Sequence, residues 1–411
     1  VPDMRGVRSF LDHGMLEEDS HTLLKDVAIF PAASIAKMIE GQLQTPRKFY
    51  QIPECKDTWS SFNDACDAFR ALFADAVKVR LRTDVPWGIG LSGGMDSSAV
   101  VYAAHRLLDE EQKRFDVFSA VFPGHEMNEE EHIDTIVKDL NLDAHKTVPS
   151  SEFGHTAMRR HIHAQDTPTV STSFFAQHMV AKLAHSRGVK VLLVGQGGDE
   201  LFAGYHHHFY RYLRNLLVKG RFRRYRNELK AYALLKHREQ TYLKRIARGE
   251  VILALKTAAG IRETGNKWEN ERYRLGTLRR FLNLDLQRYT LPFFLHSDDR
   301  TGMAYSIESR HPFMDYRLID FAQSLPDEFM IKDGWQKRII RESFPEMPES
   351  IRYRKDKKGF ATPQKSMIEQ LGAEFLRFTS LTQKEYGAAP NAFRSYTLGI
   401  WHDLFINGNT D

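Results

Sequence analysis

The chain has 411 residues, 42% hydrophobic and 27% charged, and its 58 Lys/Arg against 53 Asp/Glu leave a formal charge of +5. That length and composition suit two or three domains around a sizeable core and exclude a wholly disordered, collagen-like or coiled-coil chain. Only Cys55 and Cys66 are available, which excludes a disulfide framework and a four-cysteine zinc site and leads to the expectation of a reducing, cytoplasmic setting.

Residues 1–58 read as a small mixed segment. Ala28 to Pro31, a turn, and the stretch Gln42 to Ile52 predict a hairpin and a linker, too short to own a core. From Ser60 the spacing turns helical, with Phe62, Ala65, Phe69, Leu72, Phe73 and Ala76 on one face. Strands and helices then alternate. Strands are expected over 87–91, 115–122, 144–148 and 189–194, and helices over 97–108, 128–140 and 172–186. This order predicts an α/β fold, a doubly wound parallel sheet covered on both faces. Beyond Gly204 the pattern reads as helical, with a boundary expected near Tyr205. The expected domains are therefore 1–58, 59–205 and 206–411.

Two strands run into glycine turns. The first is Leu91-Ser92-Gly93-Gly94-Met95-Asp96-Ser97, with a helix starting directly after it. Glycines let a ligand approach the backbone, and the amides of a helix start attract anions. Neither a Walker-type G-x-x-x-x-G-K-[ST] loop nor a dinucleotide G-x-G-x-x-G follows this strand. A carboxylate such as Asp96 beside a phosphate cradle is repulsive unless a cation lies between them, which points to Mg²⁺. The second turn, Val194-Gly195-Gln196-Gly197-Gly198-Asp199-Glu200, repeats the arrangement. Both belong to the carboxyl edge of a parallel sheet, so Asp96 and Asp199 are expected to face one metal from two sides. Glu200 reads as an ordinary acidic helix start.

Together, S-G-G-x-D-S at 92–97 and G-x-G-x-D-E-L-F-A-G-Y at 195–205 resemble the synthetase half of glutamine-dependent asparagine synthetases, within the wider ATP pyrophosphatase group with its adenine nucleotide α-hydrolase-like fold. Stretches 298–304, 306–315, 334–337 and 357–360 agree, so the resemblance spans about 15–365. It implies a ligase in which a carboxylate attacks the α-phosphate of ATP, releasing pyrophosphate, and an amine then displaces AMP. The expected substrates are aspartate and ammonia. The resemblance places Ser92, Gly93, Gly94, Asp96 and Ser97 on the pyrophosphate, Leu91, Gly195 and Val121 along the nucleotide, and Asp96 and Asp199 on magnesium. Lys337 and Lys357 are expected at the phosphates and the developing charge. Gln196 and Glu308 join them as catalytic candidates, although Glu308 and Arg310, among apolar neighbours, also suit a buried structural pair. Asp299, Arg300 and the loop residues Asp166, Pro168, Ser171, Thr172 and Ser173 are weaker candidates.

Two departures qualify that reading. The chain opens Val1-Pro2 where glutamine-hydrolysing members carry a catalytic cysteine. The implied expectation is that residues 1–58 are the tail of a glutaminase-like domain, supplied upstream or by a partner subunit; a homodimer stays open. At Gln196 characterised relatives tend to be acidic, and an amide cannot accept a proton as a carboxylate does. Another amide or lactam product is therefore the alternative. A rival of another class rests on Arg211–Glu250, where thirteen Lys/Arg stand against three Glu with interspersed aromatics. Such a stretch can bind nucleic acid, but helices with basic outer and aromatic inner faces explain it better. His206-His207-His208 is read as a polar helix start, since adjacent histidines diverge around a helix.

Overall fold

The computed structural model describes residues 1–16, 21–109, 113–237, 243–245, 248–249, 251–252, 277–355 and 359–409. Four two-residue strands come first: β1 (Ser34–Ile35), β2 (Met38–Ile39), β3 (Gln42–Leu43) and β4 (Arg47–Lys48). They form nested antiparallel pairs, β2 with β3 inside β1 with β4. The main sheet contains β5 (Trp87–Gly90), β6 (Asp116–Ala120), β7 (Asp143–Thr147), β8 (Val191–Leu193) and β9 (Glu308–Arg310), in spatial order β7-β6-β5-β8-β9. Every pairing in it is parallel.

Side chains alternate across these strands and build a core on each face. Ile89, Val117, Val191 and Leu193 join one buried cluster, with Phe69 and Phe73 of the Phe62–Arg80 helix and Val100 of the Met95–Leu107 helix. Phe118, Ala120, Leu192 and Val194 face the other, with Phe175 and Met179 of the Thr172–Ser186 helix. The Phe62–Arg80 helix starts where the Ser61 hydroxyl accepts the Asp64 N–H, and its buried residues recur three or four apart.

Two expectations change. The strands do not stop at Gly204, because β9 comes from far along the helical region and completes the sheet beside β8. With three residues, all polar or charged, it carries no alternation that could announce a strand. Nor does the core break at Tyr205. Phe209, Tyr212 and Leu229 belong to the same cluster as Ile89 and Val117. The amino-terminal segment packs elsewhere, as its size required. Val7, Phe10 and Leu11 of the Met4–His13 helix are buried with Phe393, Tyr396 and Trp401 of the carboxyl-terminal Ala392–Phe405 helix. No helix among the described residues is long and apolar enough to cross a membrane.

Candidate active site

Strand β5 lies between β6 and β8, so chain connections leave it in opposite directions and open a crevice at the carboxyl edge. Both glycine turns emerge there. In the first, Gly93 adopts φ +72°. The Ser97 hydroxyl accepts the Ser92 N–H (3.1 Å), and the two hydroxyls lie 3.0 Å apart. Ser119 Oγ donates to the Leu91 carbonyl (2.6 Å) and fixes the exit of β5. The second turn packs directly on the first: a Cβ on Gly195 would lie 2.7 Å from the Ser97 amide nitrogen, and one on Gly198 would lie 2.5 Å from Asp96 Oδ1. Glycine is thus required because two backbones and a carboxylate share one space.

Lys337 binds the turns together. Its side chain is 1% exposed, and its ammonium pairs with Asp96 Oδ2 and, at 2.6 Å, with Asp199 Oδ1. Burial opposes its charge, but the two carboxylates more than offset that and hold the ammonium above the usual lysine range. Lys337 itself adopts φ +54°, a strained setting for a side chain of this size, ahead of the Arg338–Ser343 helix. Its neighbour Gln336 donates to the Ala203 (2.7 Å) and Tyr205 (2.6 Å) carbonyls and so ties the second turn to this segment. The cation on which both carboxylates converge is the Lys337 ammonium; two carboxylates on neighbouring loops are also the oxygen donors that a hard divalent ion takes, so their chemistry fits Mg²⁺.

The turns border a cavity of about 650 Å³, lined by Leu91, Ser92, Gly94, Asp96, Ser97, Gly195, Gln196 and Asp199 among others. Gly93 stays within the first loop, while Val121 is buried just past β6, next to the lining residue Ala120. Glu200 also lines the cavity and is 2% exposed, so it is no solvated helix start. Burial, then the charge of Asp199, push its carboxyl up to about 8, although Tyr205 Oη donates to it (2.8 Å). Glu129 lines the cavity too and pairs with buried Arg354 (2.6 Å), whose other nitrogen donates to the Gly93 carbonyl (3.3 Å).

The family model for asparagine synthase matches residues 68–386. The chain belongs to the asparagine synthase family. It is 26% identical over 331 residues to asparagine synthetase [glutamine-hydrolyzing] 1 of Bacillus subtilis, covering 74% of this chain and 50% of that protein. It is also 26% identical over 212 residues to asparagine synthetase B [glutamine-hydrolyzing] of Escherichia coli, covering 47% of this chain and 37% of that one. A putative asparagine synthetase [glutamine-hydrolyzing] 2 of Methanocaldococcus jannaschii is 31% identical over 175 residues, covering 42% and 33%. The chain thus spans half or less of the length of these relatives.

Other candidates fall outside the cluster. In this asparagine synthase fold Glu308 opens β9 opposite Val191, at the amino edge of the sheet. It pairs with Arg310 (2.9 Å) but is 61% exposed, so the pair is structural without being buried, and the structure does not bring Glu308 to the cavity. Lys357 lies outside the described residues. Of the weaker candidates, Ser171 and Ser173 line the cavity, whereas Asp166 and Arg300 pair with each other at 3.2 Å.

The histidine run is more than a polar start. His207 and His208 both direct Nε2 at Asp285 Oδ2 (3.0 and 2.9 Å), so two of the three converge. A metal does not suit them: His208 Nδ1 accepts the Tyr205 N–H (3.3 Å), which leaves the proton on Nε2 and makes that atom a donor to Asp285. The basic region likewise turns partly inward. Arg211 and Arg214 are each 3% exposed, Arg211 lies 4.7 Å over the Phe281 ring, and Tyr212 and Tyr232 are buried. Tyr242, Arg238, Glu239 and Glu250 fall outside the described residues.

Sequence reasoning missed Glu129, Arg354, Gln336 and the cavity wall from the two ends of the chain. Gln336 carried a signal, standing beside Lys337 in the stretch 334–337; the others are single residues on unremarkable stretches.

Proposed function

We propose that the chain is an ATP- and Mg²⁺-dependent ligase that adenylates a carboxylate and passes the acyl group to a nitrogen nucleophile. The observation that carries this is that Asp96 and Asp199, from two different loops, come together at the carboxyl edge, where the buried Lys337 ammonium joins them. The glycine-opened backbone and the Ser92 and Ser97 hydroxyls beside it can receive phosphate oxygens. Asp96 and Asp199 would hold Mg²⁺, which when bound neutralises phosphate charge. In the first step a carboxylate oxygen attacks the α-phosphorus and the bond to the β-phosphate breaks, releasing pyrophosphate. In the second, nitrogen attacks the carbonyl carbon, loses a proton, and AMP leaves. The protein's contribution is positioning and charge neutralisation, with Lys337 beside the two aspartates and Lys357 assigned to the developing charge by resemblance.

The names of the relatives favour aspartate as acceptor and asparagine as product, with ammonia released from glutamine by another domain or subunit. Gln196 favours the second reading, another amide, because this cavity-lining side chain cannot take the nucleophile's proton as a carboxylate would. The burial of Arg211, Arg214, Tyr212 and Tyr232 takes part of the basic stretch away from a nucleic-acid reading.

Pyrophosphate release with ATP, Mg²⁺ and a panel of carboxylates, with ammonia or glutamine, tests the reading. Asp96→Asn and Asp199→Asn should each reduce release by about 100-fold or more, the scale on which charge-stabilising groups act. Full activity in either variant would remove the metal assignment.

A further inference from the structure

The cavity lining also holds an aromatic cluster that the proposed phosphate chemistry does not call on. Phe174, Phe293 and Phe294 form it, and their rings pack together: Phe174 meets Phe293 edge-on at 4.6 Å and Phe294 stacked at 5.3 Å. Phe360 and Val170 extend this apolar wall, and Arg394 stands among its lining residues. A Cβ on Gly14 would lie 3.1 Å from Val170 Cγ1 and 3.4 Å from Arg394 Nη1, so the end of the first helix, the 170 loop and the last helix close together here. Gly14 and Arg394 both lie outside the span 68–386 shared with the asparagine synthase family. The rings themselves, with Val170 and Phe360, lie within that span, so the wall combines the family module with a flank supplied by Gly14 and Arg394.

Free aspartate is a poor occupant for such a wall. It is small, with two carboxylates and an ammonium, and setting those charges against phenyl rings would strip their hydration without return. An aromatic group docked there would instead remove apolar surface from water and meet rings edge-on. We propose that the Phe174–Phe293–Phe294 wall selects an acceptor carboxylate bearing an aromatic-sized apolar group, the class that N-acylated amino acids represent. Arg394 would meet a second carboxylate of such a molecule. The inference rests on the carboxylate-activating reading above and gives that site its substrate class.

Binding of aspartate, N-acetyl-aspartate and N-benzoyl-aspartate, measured by calorimetry with a non-hydrolysable ATP analogue present, reads the wall apart from the chemistry. The benzoyl compound should bind at least about tenfold more tightly than the acetyl compound, the scale of a filled apolar pocket. Half-buried Phe293→Ala should erase most of that preference, and Phe174→Leu part of it, with affinity for the ATP analogue serving as the folding control. Aspartate binding as tightly as N-benzoyl-aspartate, or an unchanged preference in well-folded Phe293→Ala, would overturn the assignment. Pyrophosphate release read in parallel separates the two proposals. Tight benzoyl binding without release from any carboxylate would keep the wall and reject the ligase; release without any preference would do the reverse.

Discussion

Two side chains at the centre of the site depart from their ordinary ionisation in opposite senses of usefulness. Lys337 stays charged despite complete burial because two carboxylates surround it. Glu200, one position past Asp199, is driven by burial toward its neutral form, up to about 8. The folded value exceeds the unfolded one, near 4.5, so between those limits the native state holds more protons. The stabilising contribution is complete below about pH 4.5 and drains away as pH rises through about 8. Glu200→Gln should therefore gain stability relative to wild type between pH 5 and pH 9, by on the order of 1–3 kcal/mol in paired denaturation curves. Parallel curves for the two proteins would mean that Glu200 is ionised in the native state. The sequence marked Glu200 only as acidic at a helix start; its burial under Tyr205 is a packing outcome that spacing does not encode.

At the scale of elements, the site consists of two strand–turn–helix units pressed together. Gly198→Ala examines that contact, since the added carbon would lie 2.5 Å from Asp96 Oδ1 while the short Gly198–Leu201 helix tolerates alanine. The expected result is a melting temperature within a few degrees of wild type and pyrophosphate release down by about tenfold or more, from displacement of one carboxylate. Release at the wild-type rate would show that the loops separate in solution. Both turns were legible because glycine clusters after apolar strands are local signals, and the Thr172–Ser186 helix was expected over the same residues. Strand β9 was not legible. Its pairing with β8 is non-local, and its three polar residues join a sheet through backbone hydrogen bonds alone.

Across the whole molecule, the two chain ends meet. Phe10 of the first helix has 0% exposure and shares a cluster with Phe393, Tyr396 and Trp401 near the carboxyl terminus. Phe10→Ala should cost about 3–5 kcal/mol in urea unfolding, the range for emptying an aromatic site in a core. A loss below about 1 kcal/mol would mean that this helix does not dock on the last one. The contact also serves the cavity, because the residues just past the first helix and those opening the last form one side of it.

The amino-acid sequence by itself determined the alternation of strands and helices, the two phosphate-type turns, and the pair of aspartates, because these depend on short-range spacing and on what backbone a glycine permits. Only the tertiary structure decided that one buried lysine joins those aspartates, that Glu308 belongs to the opposite edge of the sheet, and that two adjacent histidines share one carboxylate. It also brought the chain's two ends together beside an aromatic wall of the cavity. Each of these depends on which distant segments bury the same surface, and that is settled by packing the whole chain.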